Sequence, residues 1–262
     1  MKKTGKRKKL TKAGRILTDI ILIAALITAG YAGWNIYTIL NDNHQGSAAY
    51  EELASKAETG SSTSSNEKTV DFSYLSGINP NIQAWITLDD SNIDYPAVQY
   101  TDNSYYLTHL FNGEYNRHGC IFIDSNNQAG FADKNTVVYG HHMHDGTMFA
   151  DVENYKDSSY YAGHKQFDIY TPDGRWVMYP VAGLVTTADV NYIRYTFTDD
   201  DDYLSYVNSF VSKSTFTSEE SITASDQMMT LSTCSYDVEN GRYVLIGKLV
   251  KVQKERKYEK YR

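Results

Sequence analysis

The chain has 262 residues and a net charge of −7, which is unevenly distributed. Residues 1–70 contain 10 Lys/Arg against 6 Asp/Glu, and residues 71–262 contain 15 against 26, giving net charges of +4 and −11. This length is enough for one medium-sized globular domain, and a domain this acidic is a poor partner for a polyanion, which excludes nucleic-acid binding from the expected functions.

The N-terminus has the pattern of a membrane anchor. Eight Lys or Arg residues fall within the first 15 positions, and residues 20–40 form a nearly uncharged apolar run. A helix of that length spans about 31 Å, which matches the hydrocarbon core of a bilayer. The positive-inside rule predicts a single-pass protein of the cell membrane, with residues 1–19 cytoplasmic and the chain after residue 40 extracellular. The alternative is a cleaved secretory signal, because Ala29, Gly30 and Ala32 are small enough for a cleavage site.

Residues 41–70 have the composition of a polar extracellular stalk. Helix-forming residues occupy positions 48–58, and positions 60–66 (GSSTSSN) are typical of a flexible linker. We therefore expect the anchor to be separated from a folded domain that comprises residues 71–262.

Short β-branched and aromatic runs separated by Gly, Asn and Asp dominate the folded part, a pattern typical of mainly β proteins. Eight such runs with few long helices predict a closed or nearly closed barrel. The candidate strands are residues 84–88, 97–100, 120–124, 136–139, 166–170, 175–185, 227–233 and 242–252.

One helix is well marked between the sixth and seventh of these strands. Thr198 is expected to cap it, and the four aspartates at 199–202 complement the helix dipole in its first turn. An apolar face is predicted for the helix, consisting of Leu204, Val207, Phe210 and Val211. A calcium site at the four aspartates is the alternative interpretation.

The chain contains two cysteines, Cys120 and Cys234. They form either one structural disulfide or a pair of one buried and one reactive thiol. Cys234 ends a candidate strand, and Arg242 begins the next strand after a turn that ends at Gly241, so an antiparallel hairpin brings the two side chains together. A guanidinium in that position favours a thiolate and can stabilise an oxyanion. The alternative is a buried structural cysteine with a surface arginine.

A thiol nucleophile also needs a proton acceptor, and histidine is the usual one. His141 follows Gly140 at the end of the candidate strand 136–139, which makes it the expected acid/base residue. The nearby His142 and His144 make zinc binding the competing interpretation. Because His141 and His142 are adjacent and no second Cys/His cluster accompanies them, we expect no metal and no other cofactor.

Several motifs together resemble the sortase family. Residues 230–234 (TLSTC) are similar to the TLxTC signature of sortases, Gly140 and His141 resemble their catalytic histidine segment, and Arg242 stands eight residues after the cysteine, as in sortases. The helix-containing segment 185–228 and the opening residues 78–86 (INPNIQAWI) resemble class B sortases in particular. The resemblance covers approximately residues 71–252.

The resemblance implies an eight-stranded sortase-type β-barrel with short helices and a helical insertion between the sixth and seventh strands. It implies a cysteine transpeptidase of a Gram-positive cell surface that cleaves the sorting motif of surface proteins after Thr and forms a thioacyl-enzyme on Cys234. An amine of a peptidoglycan precursor then accepts the acyl group. Ser232 and Thr233 are implied to line the substrate site, with Tyr192 in one wall. The alternatives are a pilus-building sortase that uses a pilin lysine, a cysteine hydrolase, and an inactive surface binding module.

Overall fold

The computed structural model describes residues 11–58, 68–190 and 192–253. Its contacts divide the chain into two units, residues 1–45 and 46–262. The helix α1 (Lys12–Ala57) begins in the first unit and is long and apolar enough to cross a membrane. Its apolar side chains in that unit are exposed, Leu26 by 69% and Ile27 by 68%. A surface of this kind is typical of a lipid-facing helix.

The end of α1 corrects the expectation of a free stalk. The second unit starts at Gly46 rather than at residue 71, and three side chains of the last turns, Tyr50, Leu53 and Ala57, are buried in the main core. The Tyr50 hydroxyl also donates a 2.6 Å hydrogen bond to the Gly119 carbonyl. The composition of residues 48–58 correctly indicated a helix. The apolar face of this helix packs against the barrel, whereas a free stalk was expected. The predicted linker at 60–66 lies outside the described residues.

The second unit is built on eight strands, and each predicted strand is found within three residues of its expected bounds. The strands are β1 (Ile82–Thr87), β2 (Asp94–Gln99), β3 (Ile121–Ile123), β4 (Asn135–Tyr139), β5 (Phe167–Thr171), β6 (Gly174–Thr187), β7 (Gln227–Cys234) and β8 (Gly241–Lys251). In the described ranges three further α-helices accompany them, α2 (Phe72–Ile78), α3 (Ser158–Gly163) and α4 (Asp200–Val211). Within the described ranges the fold is thus mainly β, as predicted.

The strands close into a barrel in the order β1-β2-β3-β4-β7-β8-β6-β5, and β5 pairs with β1. Two neighbouring pairs, β2–β3 and β4–β7, are parallel, and the other pairs are antiparallel. Parallel pairing of β4 with β7 has a direct consequence for the site. The carboxyl ends of these strands, which carry the predicted histidine and cysteine segments, lie at the same edge of the sheet.

Successive side chains of β7 belong alternately to two hydrophobic clusters, one on each face of the sheet. Met229 and Leu231 belong to the main core with the barrel interior, whereas Met228 belongs to a second cluster with residues of α4. Since successive side chains of a strand point to opposite faces, Ser232 and Cys234 lie on the same face as Met228. The helical insertion therefore borders the outer face of the sheet from which Cys234 projects.

The start and the buried face of α4 differ from the sequence prediction. Asp199, not Thr198, is the N-cap: its backbone is extended and its carboxylate accepts a 2.8 Å hydrogen bond from the Asp202 N–H. Val211 is 46% exposed, and the buried face comprises Tyr203, Tyr206, Val207 and Phe210. The prediction counted three aliphatic residues and Phe210 at helical spacing, and it missed that the larger tyrosine rings bury more area.

Candidate active site

The β7–β8 hairpin brings the predicted nucleophile and arginine together. Cys234 is directly opposite Arg242 in the antiparallel register. The next pair is hydrogen-bonded, because the Ser235 N–H donates to the Gly241 carbonyl at 3.0 Å. Cys234 and Arg242 are therefore a non-hydrogen-bonded pair, the arrangement in which cross-strand side chains are closest, with Cβ atoms about 4.5 Å apart. Both residues line the same cavity.

His141 reaches this cavity through the parallel pairing of β4 with β7. Tyr139 is in register with Ser232, and the Gly140 N–H extends the ladder with a 3.1 Å hydrogen bond to the Ser232 carbonyl. Continuing the register by two residues brings His141 level with Cys234. The strand ends thus align two residues that are far apart in the sequence.

The imidazole of His141 is oriented by one backbone contact. Its Nε2 lies 2.7 Å from the carbonyl oxygen of Leu107, which follows β2 in the 3-10 turn Tyr105–Leu107. A carbonyl oxygen only accepts, so Nε2 carries the hydrogen and Nδ1 is the basic nitrogen of the neutral ring. This contact fixes the tautomer and leaves Nδ1 for proton transfer.

Gly140 is required at its position by a neighbouring ring. A Cβ atom at this residue would lie 2.5 Å from Cδ2 and 2.6 Å from Cγ of Phe149, whose side chain is fully buried. The Phe149 N–H also donates a 2.8 Å hydrogen bond to the His141 carbonyl. Close approach of Phe149 to a glycine therefore holds the histidine segment against the barrel.

The cavity has a volume of about 480 Å³ and is open to solvent on one side. Its polar lining includes Asn103, Ser232, Cys234 and Arg242, and its apolar walls consist of Leu107, Phe122, Tyr139, Ala188, Tyr192 and Ile193. A cleft that combines apolar walls with a few convergent polar groups is typical of a site for an extended peptide or a small organic ligand.

All three predicted substrate-site residues line this cavity, but in different ways. Tyr192 is buried, and its hydroxyl lies 3.0 Å from the Ser232 hydroxyl, so these two side chains form one wall of the cavity. Thr233 is 2% exposed, and alternation along β7 directs its side chain to the barrel interior with Leu231. Contact of Thr233 with substrate stays a prediction.

A buried carboxylate next to the cavity was not anticipated from the sequence. Asp124 follows β3, is 1% exposed, and accepts a 2.7 Å hydrogen bond from the Tyr139 hydroxyl. Burial by itself raises the pKa of Asp124, but hydrogen bonds from the Asn126 backbone and from Tyr139 and Tyr195 outweigh it and lower the pKa below its usual value. A lone acidic residue after a strand was the available signal for this residue, whereas nothing in the sequence pointed to Asn103 or Leu107.

The three neighbouring histidines point to different partners. His141 contacts Leu107, His142 Nδ1 lies 2.7 Å from a carboxylate oxygen of Glu153, and the His144 ring stacks on Tyr236 with centroids 4.8 Å apart. Among the described residues, no three His, Cys, Asp or Glu side chains are grouped to hold a metal ion.

The two cysteines have different environments, and both are free thiols. Cys120 is 1% exposed, and burial raises its pKa to about 12. Cys234 is partly exposed at the cavity. Of the two interpretations left open by the sequence, the arrangement favours one inert buried thiol and one accessible thiol.

Comparison with known proteins is consistent with this geometry. A family model for the sortase domain matches residues 86–250. Sortase B of Listeria monocytogenes is 35% identical over 241 residues, which is 90% of this chain and 96% of the relative. A Staphylococcus aureus sortase B–substrate complex superposes with a TM-score of 0.72 at 33% identity and covers 81% of this chain and 99% of that one. A sortase B complexed with triglycine gives a TM-score of 0.71 at 33% identity, with coverage of 80% and 100%.

Proposed function

The chain belongs to the sortase B family of cysteine transpeptidases, which anchor surface proteins, and on this premise we propose that Cys234 is its nucleophile, His141 its acid/base residue and Arg242 its oxyanion-stabilising group. The observation that supports these roles most directly is the convergence of all three side chains on one cavity. Cys234 and Arg242 converge through the β7–β8 register, and His141 through the parallel register of β4 with β7.

Acylation begins with a sorting motif bound in the cavity so that the carbonyl carbon of its threonine faces Cys234. The thiol proton moves to Nδ1 of His141, and the sulfur attacks the carbonyl carbon. The guanidinium of Arg242 then stabilises the negative oxygen, because it presents fixed donors where charge develops. As the peptide bond breaks, His141 returns the proton to the leaving amine, and a thioester joins the threonine to Cys234.

Transfer reverses the direction of proton movement. An incoming amine attacks the thioester carbon while Nδ1 of His141 accepts its proton. Arg242 stabilises the second oxyanion, and collapse of the intermediate forms a new amide bond and releases the sulfur, which recovers the proton from His141. We assign the role of acceptor to an amine of a peptidoglycan precursor. The relative complexed with triglycine supports an amine-bearing acceptor.

Ser232 and Tyr192 are assigned to substrate binding because their paired hydroxyls form one wall of the cavity. Their mutual hydrogen bond leaves donor and acceptor capacity for the backbone of an extended peptide. The Staphylococcus aureus relative has been solved as a complex with its substrate, which supports substrate binding by this fold. Thr233 is assigned a supporting role behind this wall, since alternation along β7 directs its side chain to the barrel interior.

Residues 20–40 are proposed to anchor the protein in the cell membrane, with residues 1–19 in the cytoplasm and the catalytic unit outside, next to the cell wall. The exposed apolar surface of α1 and the dense basic run before it support this arrangement. An impermeant thiol reagent added to intact cells should then modify Cys234. Modification only after cell lysis would contradict the orientation.

The function is tested with the detergent-solubilised full chain and a panel of peptides that contain a Thr-X bond. Mass spectrometry with and without triglycine should detect cleavage after Thr and a new Thr–Gly bond in the presence of triglycine. Cys234→Ala and His141→Ala should form neither product while keeping the circular dichroism spectrum. His144→Ala is the matched control, because the His144 side chain is exposed and stacks on Tyr236 outside the cavity, and it should retain most of the turnover.

The same assay distinguishes the remaining alternatives. A cysteine hydrolase would give only the free acid even at high triglycine concentration, and a pilus-building enzyme would prefer a lysine side-chain amine. An inactive binding module would retain the peptide without cleaving it. Loss of turnover on addition of a chelator would contradict the metal-free mechanism.

A further inference from the structure

Behind Cys234 lies a chain of polar contacts that the catalytic roles above do not use. His142 Nδ1 is 2.7 Å from Oε2 of Glu153, and the other carboxylate oxygen of Glu153 is paired with Lys156. The Lys156 ammonium continues to Asp237 at 2.6 Å and to the Ser235 hydroxyl at 3.2 Å. The network therefore connects the segment after β4 with the loop that follows Cys234.

The strand ladder explains what His142 contributes. In the parallel β4–β7 pair, the Gly140 N–H donates to the Ser232 carbonyl, and acceptors that face the same way recur every two residues. The next acceptor is the carbonyl of Cys234, opposite the position of residue 142. The contact found there is the imidazole Nδ1 of His142, at 3.1 Å from the Cys234 oxygen. A side chain thus takes the place of the next backbone donor.

The donor and acceptor roles in this contact are determined by its partners. Nδ1 of His142 faces a carboxylate oxygen and a carbonyl oxygen, and neither can donate, so Nδ1 carries the hydrogen. Glu153 is only 12% exposed at its side chain, which strengthens its hold on the ring. The backbone of His142 is also held, because the Tyr236 hydroxyl donates a 2.9 Å hydrogen bond to the His142 carbonyl.

We propose that His142, oriented by Glu153, is a positioning residue that holds the Cys234 carbonyl and so aligns the thiol with His141 and Arg242. The inference rests on the proposed role of Cys234 as the nucleophile. Lys156 has a secondary part: it neutralises Glu153 and ties Ser235 and Asp237 to the same network, which limits movement of the loop after the nucleophile. None of these groups touches the reacting atoms.

The decisive comparison is between His142→Ala and His142→Asn. The amide nitrogen of asparagine occupies approximately the position of Nδ1 and can donate to the same carbonyl, whereas alanine provides no donor. Misplacement of a reacting group by about 1 Å can cost roughly 100-fold in rate, so we expect His142→Ala to lower kcat about 10- to 100-fold. His142→Asn should recover most of that loss, and KM should stay within about twofold in both variants.

Glu153→Gln supplies a second test. Glutamine has one acceptor oxygen where Glu153 serves both His142 and Lys156, so its NH₂ group must face one of two donors. We expect about a tenfold loss of kcat. The matched control is Glu219→Gln, which removes the carboxylate of an exposed ion pair with Lys165 and should keep wild-type kcat.

The assay is ligation to triglycine of the Thr-containing peptide that the wild-type full chain cleaves fastest, with the Tm of each variant measured in parallel and Cys234→Ala as reference. If Cys234→Ala still turns over, the proposed function fails. If Cys234→Ala is inactive but His142→Ala has wild-type kcat, only the positioning role is wrong. Equal losses in His142→Ala and His142→Asn, or losses matched by unfolding at the assay temperature, would assign His142 to packing alone and overturn the inference.

Discussion

Gly140 offers a sharp test of how the histidine segment is held. In Gly140→Ala, the new methyl group would lie 2.5 Å from Cδ2 of Phe149, whereas non-bonded carbon atoms prefer about 3.5 to 4.0 Å, so a shift of about 1 Å is needed. Rotation of the ring gives little relief, because the Phe149 Cβ is itself 2.9 Å away. Overpacking of this kind costs about 1 to 3 kcal/mol. For a domain of this size, the Tm should fall by about 2 to 12 °C.

The same shift should affect catalysis, because Phe149 donates its backbone N–H to the His141 carbonyl. Displacement of Phe149 moves His141 relative to Cys234, and a misplacement of about 1 Å is expected to lower kcat/KM by up to 100-fold. Thermal unfolding by circular dichroism and the triglycine ligation assay measure the two effects separately, at a temperature well below the Tm of the variant.

The control is Gly77→Ala on the exposed side of α2, where a new Cβ has no heavy atom within 4 Å. This substitution should leave turnover unchanged and, by favouring helix, raise stability by up to about 1 kcal/mol. If Gly140→Ala keeps both the wild-type Tm and the wild-type kcat/KM, Phe149 accommodates the new methyl group without cost, and the reasoning is refuted.

The remaining predictions concern Arg242, the two thiols and one surface ion pair. Arg242→Ala should lower kcat about 100- to 1,000-fold, and Arg242→Lys should restore only part because lysine lacks the planar fork; normal turnover in Arg242→Ala would make the residue a surface charge. Iodoacetamide should label Cys234 before Cys120 in peptide mass spectra, because burial raises the pKa of Cys120 to about 12; equal labelling would contradict this. Hydrogen bonding from Arg194 lowers the pKa of Asp202 from 3.8 to about 2, so the ion pair stabilises the fold above pH 3.8 and is lost as the pH falls through 2. The Tm deficit of Arg194→Met should therefore shrink between about pH 5 and pH 2, and a constant deficit would exclude this ion pair as its source.

The docking of the end of α1 shows where local reasoning stops. Tyr50, Leu53 and Ala57 follow one another at spacings of three and four residues, which marks one face of a helix. The sequence supports that much. Whether such a face meets solvent, lipid or protein depends on the surface available to cover it, and here the barrel supplies that surface around Gly119. A stalk was therefore predicted where the structure has a packed helix.

The polar network at His142 also depends on contacts between distant parts of the chain. From the sequence, His142 was considered only as a zinc ligand in the competing interpretation, and Glu153 is eleven residues further along the chain. The backbone ladder between β4 and β7 continues to the Gly140 N–H. At the next position, the Cys234 carbonyl is contacted by the His142 side chain instead of a backbone N–H. Similarly, the role of Leu107 depends on one backbone oxygen, which no residue type reveals.

The sequence by itself determined the eight strands, the helix of the insertion, and the pairing of Cys234 with Arg242. Alternating apolar residues, turn residues and an eight-residue separation are local properties, because a strand or a hairpin forms among near neighbours. The tertiary structure alone decided how His141 meets Cys234, which wall Tyr192 and Ser232 form, and what α1 packs against. These contacts join residues distant in sequence, and they follow from barrel closure and parallel strand register, which the local pattern of side chains leaves undetermined.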